Sequence, residues 1–540
     1  MRKPSFRRHA SLQRPQSQRP AAAHHPQARP HVSPSPVCQI AILTQARERW
    51  LAAIYYAKAY NGVTVTCRYS LPSEYHPASA QQNLQDSLEQ AIARDVLQHP
   101  LMQVGMTSVN SRRPLFLALD SVDLSHHIQW RLINKDEDYD AIFQHTIQQL
   151  VDTPFDNLDT QPAWKVTVFR HGLDTTIDVI FTYMHTMGDG MSGKIFHQTL
   201  SKILNTAETL DELDLHDNIL HLQEHAISYY PPPMEEMGSF AMSKRFLAKF
   251  AVQEFSPSSI TSKNPLLAHW APFIPDRPIF TERRHFTVNA AKMQTILQAC
   301  RDHNTTFTGL LHGICFISFA QSLPEKVSAF TGNTAIDLRP LMPAHPPKHP
   351  SKKQHPSSTM SNMVVITDHD FDQSYVSSFR KSLKSTTDTA TTLDPTPLRD
   401  AIWSTALLTR QQIQRRLALG LKDHLSNLIK LVPDCRSELL KQAKRPRPLT
   451  WQVTNLGTID ALPEAAAELD SSQQWVIDRA QFSCSAEAMG PLVVLQPISV
   501  KGGQMHLEIN WQRGTKDNRI GEQLRDDLVQ WLEMISNASQ

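Results

Sequence analysis

An α+β protein of two layered domains is the fold that the sequence predicts, on three observations. The chain has 540 residues, more than a single hydrophobic core supports. Runs with the two-residue period of strands are mixed with runs at helical spacing, without strict βα alternation. Several neighbouring strand runs are joined by short glycine-bearing turns, which marks antiparallel pairs rather than a doubly wound parallel sheet.

The residues fall into three parts: a tail over 1–37, an N-terminal domain over 38–265 and a C-terminal domain over 266–540. Residues 1–36 contain no Asp or Glu and are rich in Arg, Pro, Gln, His and Ser. Such a segment buries too little apolar surface to order itself and reads as a disordered tail. Its basic, acid-free composition also fits a mitochondrial presequence, although its prolines oppose the amphipathic helix that signal needs. From residue 38 the expected elements are a helix over 45–60, a strand over 63–69 and a helix over 84–97. A strand over 115–119 and a helix over 141–150 follow, and then a hairpin of 164–169 with 176–183 about His171-Gly172. Residues 242–255, MSKRFLAKFAVQEF, form a helix with Phe246, Leu247 and Phe250 apolar and Lys244, Arg245 and Lys249 basic. Such a helix either makes peripheral contact with a membrane or packs as a lid on the domain. The Pro-rich stretch 256–278 is the expected crossover.

In the second half the expected strands are 283–288, 327–338, 363–366 and 450–456, with a closing hairpin of 492–500 and 505–511 about Gly502-Gly503. The expected helices are 291–301, a long apolar one through 320 capped by Thr305 or Thr306, one across 403–431 and one over 520–535. The basic, Pro-rich stretch 343–358 reads as a surface loop.

Composition limits the function. A formal charge of +2 gives no case for nucleic acid. The six cysteines are scattered with no CxxC pair, so neither a zinc site nor a disulfide framework is expected, and no metal is called for. Reduced thiols of this kind suit a cytoplasmic protein, and a monomer is expected. No apolar run is long enough to cross a bilayer.

The chemistry concentrates in residues 177–193, IDVIFTYMHTMGDGMSG. Ile177, Val179, Ile180, Phe181 and Tyr183 make a buried strand, and Ile195, Phe196, Leu200, Ile203 and Leu204 recur at helical spacing after it. Between them stands His185-x-x-x-Asp189-Gly190. A histidine at the end of a buried strand, beside a glycine-rich turn with room for substrate, is well placed as a general base. The plainer reading is a core histidine followed by an Asp helix N-cap. Gly188 to Gly193 also fits GxGxxG with Glu208 downstream. Asp189 would set a negative charge beside a pyrophosphate, and the polar stretch 205–217 supplies no second strand, so a nucleotide site is rejected.

The stretch resembles the HxxxDG motif of the coenzyme A-dependent acyltransferases, which include chloramphenicol acetyltransferase and peptide-synthetase condensation domains. From about residue 40 onward the chain is similar to the fungal alcohol acetyltransferase family. Supporting stretches are ARERWLAAIYYAKAYNGVTVTCRYS, LEQAIARDVLQHPLM, PAWKVTVFR, TGNTAIDLRPLMP and VTNLG. VTNLG stands where plant relatives carry Asp-Phe-Gly-Trp-Gly, which argues against a plant-type enzyme.

The resemblance implies two chloramphenicol-acetyltransferase-like domains with mixed sheets and an active-site tunnel between them. It implies an acyl-CoA, most simply acetyl-CoA, as co-substrate with no tightly bound cofactor, and a small-molecule alcohol as acceptor. Carried over by position, His185 is the base, Asp189 the structural acid and Gly190 the small residue that lets the turn form. Arg339, in DLRP, is the candidate partner of Asp189. Asn455, Ser361 and Asn362 are candidate oxyanion donors. The expected function is O-acyl transfer to an alcohol. N-acyl transfer, a carrier-protein-bound donor and a catalytically silent binding or scaffold module are the alternatives.

Overall fold

The strands of two mixed sheets organise the chain: β1 (Gly62–Ser70), β2 (Ile128–Ile133), β3 (Trp164–His171), β4 (Thr176–Met184), β5 (Thr281–Val288), β6 (Phe330–Asp337), β7 (Val364–Phe371), β8 (Trp451–Val453), β9 (Val476–Cys484), β10 (Val493–Val500) and β11 (Met505–Gln512). The computed structural model describes residues 41–537 apart from 44–45, 207–212, 223–229, 233, 239, 256–266, 269, 271–272, 275–276, 345–354, 388–395, 448 and 515–518. The tail over 1–37, the crossover over 256–278 for the most part, and much of the loop over 343–358 lie outside the described residues.

The first sheet runs β9-β1-β4-β3-β2 and the second β5-β11-β10-β8-β6-β7, with Thr458–Ile459 also pairing with β10. In the first sheet only β2 and β3 are parallel. In the second sheet β6, β8 and β10 run parallel and the outer pairs antiparallel. Mixed pairing of this kind is the α+β arrangement expected from the sequence.

The longer helices among the described residues are α1 (Ala46–Tyr56), α2 (Gln81–Gln98), α3 (Tyr139–Asp152), α4 (Gly190–Leu204), α5 (Lys244–Phe255), α6 (Ala290–Asp302), α7 (Phe307–Ser322), α8 (Gln373–Thr387), α9 (Thr396–Ala418), α10 (Cys435–Ala443) and α11 (Arg519–Asn537). Helix α4 lays Ile195, Phe196 and Leu200 on the first sheet, where Phe196 stacks on Phe181 with ring centroids 4.0 Å apart. Each such buried side chain contributes about 1.5–3 kcal/mol. Helix α7 is apolar all round because it is buried on every side, among β8, β10, β11, α9 and α11. Thr306 caps it, its hydroxyl accepting the N–H of Gly309 at 3.1 Å.

Strand β9 has no counterpart among the expected elements. It lies 292 residues beyond β4 in the chain yet completes the first sheet, so the division at residue 265 does not coincide with the sheets. A charge cluster holds it there. Asp178 on β4, almost fully buried, accepts from Arg68 of β1 at 2.6 Å and from Arg479 of β9 at 3.2 Å. A register irregularity between Ile477 and Arg479 breaks the two-residue alternation, which hides the strand from periodicity.

Other boundaries shift for local reasons. The expected strand over 450–456 ends at Val453, and the Asn455 side chain accepts the N–H of Gly457 (2.8 Å) in a turn where Gly457 has φ of 68°. The helix expected over 403–431 is α9 followed by a separate 3₁₀ turn, Leu425–Leu431. On α5, Leu247 and Ala251 face a cavity, while Lys244 and Arg245 are exposed. Among the described residues no helix is long and apolar enough to cross a membrane. Cys67, Cys300, Cys315, Cys435 and Cys484 are free and buried.

Candidate active site

His185 lies one residue past β4, on the wall of a cavity of about 1130 Å³. The cavity is bordered by both sheets: Val63 and Phe482 from the first, Asn333, Val364 and Gln452 from the second. Tyr60 packs edge-on to the imidazole at 5.5 Å between centroids.

The imidazole is held by a residue of the other half of the chain. The Asn362 side-chain amide donates to the main-chain carbonyls of His185 (2.9 Å) and Thr186 (3.0 Å). With its N–H groups so used, Asn362 Oδ1 can only accept, and it lies 3.0 Å from His185 Nδ1. The proton is therefore on Nδ1, and Nε2 is the free acceptor. Burial pulls the His185 pKa below its ordinary value. Arg47 acts in the same direction, and Asp189 and Asn362 oppose it. The ring is neutral near pH 7, the state in which Nε2 can take a proton.

Asp189 points away from that nitrogen. Its Oδ1 accepts the N–H of Ser192 (3.1 Å), which caps α4. Its carboxylate pairs with Arg339 through Nη1 to Oδ2 at 2.9 Å and Nη2 to Oδ1 at 3.0 Å, both side chains 2% exposed. Met363 N–H adds a third tie at 2.9 Å. Burial alone would raise the Asp189 pKa. The Arg339 charge and these donors more than offset it and hold the carboxyl below its ordinary value. Arg339 also donates to Asp337 (2.9 Å) and to the carbonyl of Ser361 (2.8 Å). The plain helix-cap reading and the structural-acid reading thus describe one carboxylate.

Gly190 opens α4 beneath two side chains. A Cβ there would stand 2.8 Å from Leu456 Cδ2 and 2.9 Å from Phe482 Cζ, so close approach rather than a left-handed backbone excludes larger residues. Lys194, one turn on, donates to the Leu456 carbonyl at 3.3 Å.

Two of the three expected oxyanion donors do other work. The Asn362 amide is committed to His185 and Thr186, as above. Ser361 exchanges main-chain hydrogen bonds with the Ser192 hydroxyl, both at 3.2 Å. Neither residue borders the cavity, whereas Asn455 does, with its amide donating to Thr308 Oγ1 at 3.2 Å. The reassignment has a physical reason: residues 361–363 stitch the HxxxDG turn to the second half, which occupies their polar groups. Sequence reasoning did not find Arg47 or Glu487, both on the cavity wall. A charge on a helix or loop carries no signal in one sequence that separates a cavity wall from solvent.

Comparison with known proteins gives the family of the chain. The model of the family described as alcohol acetyltransferase matches residues 122–535. The chain belongs to the alcohol acetyltransferase family. Its relatives include the probable alcohol acetyltransferase FCK4 of Fusarium pseudograminearum, 27% identical over 83% of this chain and 86% of that one. The probable alcohol acetyltransferase crmB of Aspergillus fumigatus is 23% identical over 90% of this chain and 98% of that one. Among solved structures, the TRI3 trichothecene 15-O-acetyltransferase of Fusarium sporotrichioides superposes with a TM-score of 0.65 at 11% identity, over 92% of this chain and 95% of that one. The condensation domain of the Monacolin K polyketide synthase MokA gives 0.56 at 11% identity, over 92% of this chain and 97% of that one. The chain is an acyltransferase, and the fold is the one shared by these acetyltransferase and condensation proteins.

Proposed function

We propose that this acyltransferase moves an acetyl or other short acyl group from an acyl-CoA to a small-molecule alcohol, with His185 as general base. The observation that carries the reading is the imidazole itself: its Nδ1 held 3.0 Å from Asn362 Oδ1, and the ring set on the wall of a large cavity between two sheets. An alcohol is a poor nucleophile at neutral pH. Nε2 removes its proton as the oxygen attacks the thioester carbonyl. A C–O bond forms, the carbonyl becomes an oxyanion, and donors facing the cavity stabilise it, with Asn455 a candidate. When the intermediate collapses, the C–S bond breaks and the thiolate takes the proton back from Nε2. The direct route needs no acyl-enzyme. The five described cysteines are buried, and burial raises the pKa of each. The test is release of free thiol from acetyl-CoA with a panel of alcohols. Absence of acyl transfer to every acceptor and from every short acyl-CoA would overturn the reading.

The depressed pKa of His185 has a measurable consequence. A base is active when unprotonated, so the rate rises with pH through this pKa and then levels. The acidic limb of kcat/KM is expected below pH 6.5, the ordinary histidine value. Glu487 on the same wall is pushed up to about 7 by burial, with Arg447 opposing. Measuring the profile in Glu487→Gln as well separates the two groups, because only the limb belonging to His185 survives that substitution.

Asn362 is expected to act by positioning. Asn362→Ala frees the ring to rotate and to change tautomer. A misplacement of this kind costs about a hundredfold in kcat, while the acceptor KM stays near that of the parent enzyme. Steady-state kinetics check this. An unchanged kcat would show that the clamp on the imidazole is unimportant.

A further inference from the structure

Arg47 is a charged residue of the cavity wall that the mechanism above does not use. It lies in the first turn of α1. Its Nε and Nη1 are buried and have no hydrogen-bond partner. The acids that act on its charge are Glu48, Asp189 and Glu235, and Asp189 is already engaged by Arg339 and Met363. Arg47 is also close enough to His185 for its charge to weaken that base. Buried N–H groups are ordinarily hydrogen-bonded, and those of a guanidinium are costly to leave open. A cation with open donors, on the wall of the cavity that His185 also borders, is built for an anion that arrives with the ligand.

We propose that Arg47 is an anion-recognising residue of the active-site cavity, taking an anionic oxygen of the ligand that reacts at His185. The inference deepens the acyl-transfer reading and rests on it. Two sources supply such an oxygen. One is a carboxylate carried by the acceptor, which would make hydroxy acids a preferred acceptor class. The other is the oxyanion of the tetrahedral intermediate. The phosphates of coenzyme A lie a whole pantetheine arm from its thioester, whereas the charge of Arg47 acts on His185 itself, which favours the two nearer sources.

Two acceptor pairs distinguish the sources. Mandelate is compared with phenylethanediol, and para-hydroxymethylbenzoate with benzenedimethanol, each pair differing in a carboxylate against a hydroxymethyl group. The full-length enzyme, Arg47→Met and Arg47→Lys are assayed with acetyl-CoA. If Arg47 takes an acceptor carboxylate, Arg47→Met raises KM for the carboxylate member by about ten- to a hundredfold and leaves the diol unaffected. Arg47→Lys recovers part of that loss, since it keeps the charge without the fork. If Arg47 takes the oxyanion, kcat falls about 10²–10³-fold for both members with KM unchanged.

Thermal and pH readouts separate these outcomes from a structural role. Removing an unpaired buried cation leaves the melting temperature unchanged or higher. It also moves the acidic limb of the pH–rate profile upward, because the positive charge of Arg47 that acts on His185 is gone, while Asp189, also acting on that ring, stays. Arg47→Lys keeps the limb where it was. The proposal is overturned if Arg47→Met matches the parent enzyme in kcat and KM for both acceptor pairs. It is equally overturned if Arg47→Met only lowers the melting temperature, with the pH limb fixed. Calorimetric titration with mandelate, without acetyl-CoA, reads anion binding apart from turnover. If no acceptor is acylated by the parent enzyme, the acyl-transfer reading fails on its own. Mandelate binding that weakens in Arg47→Met would still support the anion site, and equal or absent binding in both proteins would overturn it.

Discussion

His185→Ala is expected to lower kcat for acyl transfer by about 10²–10⁴-fold, with circular dichroism and melting temperature close to those of the parent enzyme. The catalytic loss follows from geometry. His185 Nδ1 is engaged by Asn362, so Nε2 is the nitrogen left to accept the alcohol proton. The fold is expected to survive because the ring borders the cavity rather than filling the core. The β4–α4 turn is held by Asp189, Ser192 and Arg339 without it. His185→Gln makes a useful companion. It retains polar contact with Asn362 but supplies no base near pH 7, so it should be as inactive as the alanine variant. Near-parental kcat in either variant, with an intact fold, would remove His185 from the chemistry.

The sequence made the HxxxDG turn legible because its three parts are local. The apolar run of β4, the glycines and the periodic face of α4 all lie within residues 176–204. What was not legible depends on pairing across hundreds of residues. Strand β9 is tied by Arg479 sharing Asp178 with Arg68, and Asp478 and Arg479 put charges where a core strand is usually apolar. The contacts of Asn362 are not legible in the sequence for the same reason. An Asn in Ser361-Asn362-Met363 is a credible donor until the carbonyls of His185 and Thr186 are seen to occupy it. Arg47 shows the limit most clearly. ARERW on a helix places several charges side by side, and only the fold shows that Arg47 borders the cavity with two nitrogens unpartnered.

Asp189→Asn is expected to destabilise the protein by about 3–5 kcal/mol, and to lower activity through the displaced turn rather than through proton transfer. The substitution keeps the shape and one acceptor for the Ser192 N–H. It also turns an amide N–H toward the Arg339 guanidinium, donor against donor, and leaves that buried cation without its bidentate partner. Asp337, also on Arg339, is a poorer replacement because its side chain is 26% exposed. Arg339→Met alone should cost a similar amount, since it strands the Asp189 carboxylate and opens the Ser361 carbonyl. Both residues belong to one pair, so the double variant should be less damaged than the sum of the singles, with a coupling of about 1–3 kcal/mol. Simple additivity would show that the pair contributes no energy of its own.

The pH dependence supplies a second check. Asp189 is held below its ordinary value, so the stability it contributes is present above the unfolded carboxylate pKa. That stability is lost as pH falls through the lower folded value. Stability curves of parent and Asp189→Asn should therefore run parallel near neutrality and converge only in strong acid. Asp189 also raises the pKa of His185 through space, so the activity left in Asp189→Asn should keep its acidic limb, moved to lower pH. A variant as stable as the parent but catalytically dead would instead place Asp189 in the chemical step.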